Sequence, residues 1–255
     1  MPLFEVVIPV TRHFHWMDEA DVYFYRKYFD VPVTFLSDRP MPGYRFIETF
    51  PKDAVLYKNK KKLGIGRMIK NALRRIDSRF IIIMMTDIFP VNPVDIDAVT
   101  VLAQYMIEHP DVARGNLFSG FCEYGGDKNA AFLDGLVTQS VPITTTPLDI
   151  RRIPPDNHSN MGPIGSTHMG PALWSKEFLL EFIEDAWYLD TLEYPGQKKF
   201  IEQNKWRSII TVPALMDIGH LCITAAPRLV RLSTIENEED RAFIAQFVPK
   251  GFDVE

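Results

Sequence analysis

The sequence predicts an α/β fold: a mixed, mostly parallel central sheet flanked by helices. Three observations predict it. Strand-like and helix-like segments alternate through the first 110 residues, and the strands are nearly continuous in apolar residues, as strands buried on both faces would be. The chain's 255 residues also suffice for one large α/β domain.

Phe4 to Val10 reads as the first strand, and His15 to Phe29 as a helix with Trp16, Ala20, Tyr23, Phe24 and Tyr28 at three- and four-residue intervals. Pro32 to Ser37 is the second strand, ended by Asp38-Arg39-Pro40, and Tyr44 to Phe50 the third. A second helix spans Lys60 to Ile76, with its start drawn toward Ile65 because Gly64 and Gly66 weaken the first turns. Phe80 to Met85 is the most hydrophobic strand and runs into Thr86-Asp87-Ile88-Phe89-Pro90. A helix from Asp95 to Glu108 closes at His109-Pro110.

The second half is less regular. Asn116 to Cys122 and Ile143 to Ile150 read as strands, and Pro154 to Gly165 as a long loop of the kind that often serves as a lid. Ser175 caps a helix running to Ile183, with short strands following at Ile209 to Pro213 and Ile223 to Ala226. Ile235 to Glu255 reads as a helix and a loose acidic tail.

Composition removes several classes. Hydrophobic residues make up 46% and charged residues 24%, so the chain reads as an ordinary globular protein. No apolar run approaches the ~20 residues that span a bilayer, and the opening residues lack the basic lead and apolar core of a secretory signal. The two cysteines, Cys122 and Cys222, have no metal-type spacing, so a reducing, cytoplasmic setting is the simpler expectation, with a single disulfide as the alternative. A net charge of −5 argues against a generally cationic nucleic-acid binder, yet Lys58 to Arg79 holds nine Lys/Arg and one acid, Asp77. Walker, dinucleotide-glycine, nucleophile-elbow and zinc-cluster motifs are absent from the sequence.

Ligands of such sheets bind beyond the carboxyl ends of the strands, which draws notice to Thr11-Arg12, Asp38-Arg39 and Asp87. Asp87 follows the most apolar strand, where folding alone does not call for an acid; the plain alternative is a turn cap before Pro90. His220, after Met216-Asp217-Ile218-Gly219, is a candidate to reach a pyrophosphate or a metal, against an ordinary structural role. The basic stretch reads as a solvated helix face, as Lys62 and Arg67 approaching donor phosphates, or as a surface for a nucleic-acid acceptor.

Three patches then carry a family resemblance. Met85 to Asp95 resembles the acidic segment followed by Pro-Val-Asp of a group of GT-A-like, nucleotide-sugar-dependent glycosyltransferases of phage and bacterial type. Pro171-Ala172-Leu173-Trp174, with the helix behind it, is similar to their Pro-aliphatic-aliphatic-Trp motif, and Ala186-Trp187-Tyr188-Leu189-Asp190 falls where they carry Pro-Trp, two residues and an acid. The resemblance covers roughly residues 80 to 190. It implies a GT-A-like glycosyltransferase domain over 1–255, with a donor half in 1–110 and an acceptor half in 111–255.

It further implies transfer of a hexosyl or pentosyl group from a nucleotide sugar, such as a UDP-sugar, to an acceptor hydroxyl, with inversion. Pro9, Thr11 and Arg12 would hold the nucleotide base, Asp38 the base or ribose, and Trp187 the sugar face. Asp87, with His220, would face the diphosphate through Mn²⁺ or Mg²⁺, hard cations that take one or two carboxylates beside phosphates. Asp190 would be the base that deprotonates the acceptor, with Glu193 its substitute. The acceptor would be a glycan or, on the strength of the basic stretch, a hydroxymethylated DNA base. Two departures stand out: the Asp-x-Asp motif is reduced to one acid, with Met at 85 and Phe at 89, and Asp190 replaces a more usual Glu. The single acid keeps open a non-catalytic nucleotide- or carbohydrate-binding module of the same fold. A nucleotidyltransferase would be expected to show a glycine-rich loop after the first strand, and Pro9 to Arg12 is not one.

Overall fold

The computed structural model describes residues 2–10, 12–37, 39–41, 43–48, 65–118, 137–141, 148–153, 170–183, 205–221, 224–225 and 228–255. Its centre is a nine-stranded sheet in the order β3-β2-β1-β4-β9-β6-β10-β8-β7. These strands are β1 (Phe4–Pro9), β2 (Val33–Ser37), β3 (Arg45–Glu48), β4 (Phe80–Ile83), β6 (Val112–Asn116), β7 (Val137–Val141), β8 (Leu148–Ile153), β9 (Ala172–Ser175) and β10 (Arg207–Val212). Only β9 and β8 run against the rest, so seven of the nine point one way and the sheet is mixed but mostly parallel.

Apolar runs explain the central strands. β1 and β4 are buried at every position and pair in parallel from Phe4↔Phe80 to Val7↔Ile83. Alternate residues feed two cores. Val6, Ile8 and Ile82 face helices α1 (Asp18–Tyr28) and α3 (Ile96–Glu108). Val7, Ile81 and Ile83 face α2 (Ile65–Leu73) and α4 (Lys176–Phe182). The cap expected for α4 forms, Ser175 Oγ accepting from Phe178 N, and α3 begins one residue later than expected, with Asp95 as its cap accepting from Ala98 N at Oδ1.

A third apolar cluster lies outside the sheet. Met17, Ala20 and Phe24 pack there with Phe89 of β5 (Ile88–Pro90) and with Leu221, Val230, Leu232, Ile235 and Ile244 from the C-terminal part. The rings of Phe24 and Phe89 stack at 4.1 Å. The C-terminal part adds β11 (Ile218–His220), which pairs antiparallel with β5, and a small sheet of β12 (Thr224–Ala225), β13 (Arg228–Val230) and β14 (Asp253–Val254). Its helix α5 (Glu238–Ala245) docks on α1, where Asp240 accepts from Lys27, Tyr23 and Tyr28.

Several expectations are corrected. The first helix opens as a 3-10 segment, Arg12–Met17, and becomes α-helical only at Asp18. The strand expected from Asn116 instead ends there, because Arg114 and Gly115 belong to it. Arg114 lies fully buried over the Trp174 ring at 5.2 Å, and Gly115 lets α3 approach, since a Cβ there would meet Leu102 at 2.9 Å. Of the strand read at Ile143 to Ile150, residues 148–150 lie in β8, which runs on to Ile153, and 143–147 lie outside the described residues; β7 was not anticipated, and the patch Pro171 to Trp174 contains most of β9. The expected loose tail ends in β14, with Glu255 N donating to Val230 O at 3.0 Å. The lid segment at Pro154 to Gly165 and both cysteines lie outside the described residues. Among the described residues, no helix is long and apolar enough to cross a membrane.

Candidate functional site

The chain leaves β1 toward β2 on one side and returns to place β4 on the other, so strand order reverses between β1 and β4. A crevice outside the carboxyl ends of the strands at such a point is where open α/β sheets bind ligands. Pro9 closes β1 on one flank of this point, and Asp87 follows β4 on the other.

Asp87 sits on a tight turn in which Ile88 N donates to Met85 O at 3.0 Å. β5 then pairs with β11, bringing His220 opposite Ile88. Leu221 N donates to Asp87 O at 3.0 Å, Val91 N to Asp217 O at 3.1 Å, and Asn92 Nδ2 to Asp217 Oδ2 at 3.0 Å. Residues 217–221 are thus zipped along the acidic turn. The result is a side-chain pair, His220 Nε2 to Asp87 Oδ2 at 3.4 Å, with side-chain exposures of 34% and 21%. Two residues 133 positions apart, both singled out as candidate metal ligands, are therefore neighbours at the sheet's ligand-presenting edge.

The pair fits a divalent cation in part. Cis ligands at ~2.1 Å from an octahedral ion lie about 3 Å apart, close to the observed separation. An imidazole beside a carboxylate suits Mn²⁺ better than Mg²⁺, which favours oxygen alone. Among the described residues no group of three or more His, Cys, Asp or Glu side chains is placed to hold a metal, so further ligands would have to come from phosphate oxygens and water.

Two acids of α1 stand behind this edge and were not anticipated. Asp18 Oδ2 accepts from Arg39 Nε at 3.1 Å and Nη2 at 2.5 Å, and lies 3.2 Å from His15 Nδ1. Arg39 Nη2 also donates to His15 O at 2.9 Å. Asp21 is fully buried, and neither carboxylate oxygen has a hydrogen-bond partner among the described residues. Burial, then the charges of Asp18 and Asp87, push its carboxyl well above the usual carboxylate range. The sequence signal was an acid beside the apolar stripe of a helix, three positions before Phe24, but the charge alone does not say which face it occupies.

Asp21 gives a pH-dependent prediction. Its folded pKa is raised, so the stability linked to its neutral form is complete below the ordinary value near 3.8 and is lost as pH rises through the folded value. Asp21→Asn removes that loss. The variant is expected to be more stable than the wild type at pH 8 by about 1–3 kcal/mol, and so to melt higher, with the gain vanishing near pH 4. Melting curves across that range check it; a gain that is constant with pH contradicts the assignment.

The other candidates are placed less fully. Arg12 opens the 3-10 segment and Arg67 lies within α2, their side chains outside the described part. Thr11, Asp38, Lys62, Trp187, Asp190 and Glu193 lie outside the described residues. Phe89, at the position where a second motif acid is lacking, is wholly buried against Phe24 and serves the third core. Trp174 is likewise core, at 1% exposure. In the basic stretch, Lys70 Nζ donates to Ile183 O at 3.2 Å and ties α2 to the end of α4.

No family model matches the chain, and no curated protein matches it. Among solved structures it is similar to a CMP:2-keto-3-deoxy-manno-octonic acid synthetase complexed with CTP, at 14% identity and TM-score 0.47, over 96% of this chain and 99% of that one. It is similar to glucosyl-3-phosphoglycerate synthase from Mycobacterium tuberculosis, in complex with Mn²⁺, uridine diphosphate and glucosyl-3-phosphoglycerate. That likeness has 13% identity and TM-score 0.39, over 85% and 71% of the two chains. It is similar also to S. aureus TarS, at 12% identity and TM-score 0.41, over 82% of this chain and 35% of that one. With every TM-score below 0.5 and every identity below 15%, these likenesses assign neither family nor activity.

Proposed function

We propose that the chain is a glycosyltransferase that moves a sugar from a nucleotide-sugar donor to an acceptor hydroxyl. The observation that carries this reading is the Asp87–His220 pair, 3.4 Å apart beyond the carboxyl end of β4 and beside the point where strand order reverses. An acid and an imidazole converging there would hold the divalent cation that a diphosphate leaving group needs, at the place where this class of sheet presents its ligands.

Asp87 and His220 would hold Mn²⁺ or Mg²⁺ between them, and such an ion would offset the negative charge that gathers on the departing diphosphate. The end of β1 at Pro9, followed by Thr11 and Arg12, receives the base, with Asp38 at the end of β2 on the base or ribose. Lys62 and Arg67 approach the phosphates, and Trp187 takes the sugar face. Asp190, with Glu193 as its substitute, accepts the proton of the attacking hydroxyl from the side opposite the leaving group, so the product is inverted. Residues 1–110 form the donor half and 111–255 the acceptor half. The acceptor is a hydroxyl of a glycan, or of a hydroxymethylated DNA base if the stretch Lys58 to Arg79 contacts phosphates.

A second reading, a binding module without catalysis, is favoured by Phe89, which fills the core where a second motif acid would stand. Thermal shift against nucleoside diphosphates and their sugars, with and without Mn²⁺ or Mg²⁺, tests both. A donor at 100 times its Kd stabilises by ~2.7 kcal/mol, a rise of about 5–10 °C for a chain of this size. The rise is expected with one nucleotide family and is expected to disappear in Asp87→Ala. No rise with any nucleotide in a folded sample removes the donor site. A rise without donor hydrolysis or transfer to any acceptor leaves the binding module.

A further inference from the structure

A groove of about 770 Å³ runs along α1, and neither Asp87 nor His220 lines it. Its size is that of a small-molecule site. Val22, Tyr23, Met41 and Phe243 give it an apolar lining, with the rings of Tyr23 and Phe243 stacked at 4.1 Å.

Most charges on its walls are already committed. Asp18 and Arg39 hold each other, and Lys27 is bound to Asp240 at 2.7 Å. Two are not. Arg26 is exposed and takes part in no ion pair among the described residues, its guanidinium lying against Tyr44, 4.7 Å from the ring centre and beside the hydroxyl, with its outer edge turned to the groove's solvent side. Glu19 is exposed and, among the described residues, likewise lacks a cation. Seven residues separate them along α1, which is two turns and about 10.5 Å of rise. The groove therefore carries toward one end a cation that no carboxylate neutralises, toward the other an acid that no cation neutralises, and an apolar wall between.

We propose that this groove binds a small hydroxylated organic anion. The anionic group docks on the edge of Arg26, whose fork suits both carboxylate and phosphate, and hydroxyl groups donate to Glu19. The carbon skeleton lies against Tyr23, Val22 and Met41. The site does not depend on the nucleotide-sugar reading, because none of these residues belongs to it.

Amide-resolved NMR titration at low ionic strength tests the proposal, with glycerol 3-phosphate, gluconate, glycerol and inorganic phosphate as probes. Glycerol 3-phosphate or gluconate should saturably shift the amides of residues 19–27, the tighter of the two identifying the head group. Neutral glycerol should not bind, and inorganic phosphate should bind more weakly than the hydroxylated anion. Arg26→Gln should raise the Kd at least tenfold, roughly the loss of one charge-assisted contact. Glu19→Gln should weaken the hydroxylated anions relative to inorganic phosphate, whose own binding is expected to rise slightly as the acid's repulsion is removed. Asp87→Ala should leave all of this intact, so failure at the donor edge and failure here are separable. Equal binding by glycerol, equal binding by inorganic phosphate, or an unchanged Kd in Arg26→Gln overturns the proposal.

Discussion

Asp240→Asn is expected to lower stability by about 3 kcal/mol, on the order of 10 °C in melting temperature for a chain of this length. Asp240 is wholly buried on α5, yet it is charged. Lys27 Nζ donates to its Oδ1 at 2.7 Å, Tyr23 OH to the same oxygen at 3.0 Å, and Tyr28 OH to Oδ2 at 2.6 Å. Burial pushes this carboxyl up, but the bonds from Lys27, Tyr28 and Tyr23 outweigh it and hold it below the usual range. In return, although burial alone would lower the Lys27 ammonium, its bonds to Asp240, Tyr23 and Tyr28 raise it. Removing the acid strands a cation and two phenols. The cost sits at the lower end of the range for breaking a buried pair because Lys27 keeps 30% exposure and can regain water.

The pH dependence has a definite sign. The folded pKa of Asp240 is depressed, so its contribution is present above the ordinary value near 3.8 and is lost as pH falls through the folded value. The gap between wild type and Asp240→Asn should therefore be full at pH 7 and close progressively below about pH 4. Chemical denaturation at pH 7 and pH 3 measures it. An undiminished gap at pH 3 means that packing, not charge, holds α5 to α1.

How much of this was legible in the sequence depended on whether a residue's neighbours were local. β1, β2, β4, α3 and α4 were readable because their signals lie within a few residues: unbroken apolar runs for the strands, and Asp95 or Ser175 ahead of an apolar-periodic stretch for the helices. β6 was placed too late because Arg114 and Gly115 look like loop residues. Arg114 becomes a strand residue only through Trp174, sixty positions on, and Gly115 only through α3 packed upon it. β5 and β11 have three residues each, too short for any period. Residue type could therefore hint that Asp87 and His220 meet, but only the pairing of those two short strands brings them together. Asp21 shows the opposite failure. Its charge marks it as a surface residue, and only the fold, which buries it with Asp18 and Asp87 nearby, pushes its carboxyl well above the usual range.

Gly219→Val is expected to separate Asp87 from His220 while leaving the nine-stranded sheet formed. Space, not backbone conformation, makes glycine necessary at 219. A Cβ there would run into Ile235 Cδ1, and would lie 2.8 Å from Val91 Cγ1 and 3.2 Å from Phe89 Cε2. Ile235 could swing its end away in a loose surface, but it is wholly buried in the third core, and Val91 closes the other side. The strand itself must therefore shift, and β11 is the strand that carries His220 and reaches Asp87 through Leu221 N. Gly219→Ala should cost about 1–3 kcal/mol, the usual range for overpacking, and Gly219→Val more. If the donor site is formed by Asp87 and His220, the Mn²⁺-dependent nucleotide shift should fall with the alanine variant and vanish with the valine. The second change Ile235→Ala opens the side of the closest clash, so Gly219→Ala with Ile235→Ala should lose less than the two single losses added together, a coupling a double-mutant cycle resolves. Strict additivity would place the cause of the damage elsewhere than at this contact. Full retention of the nucleotide response in Gly219→Val would show that the closeness of β11 to β5 is not what the site requires.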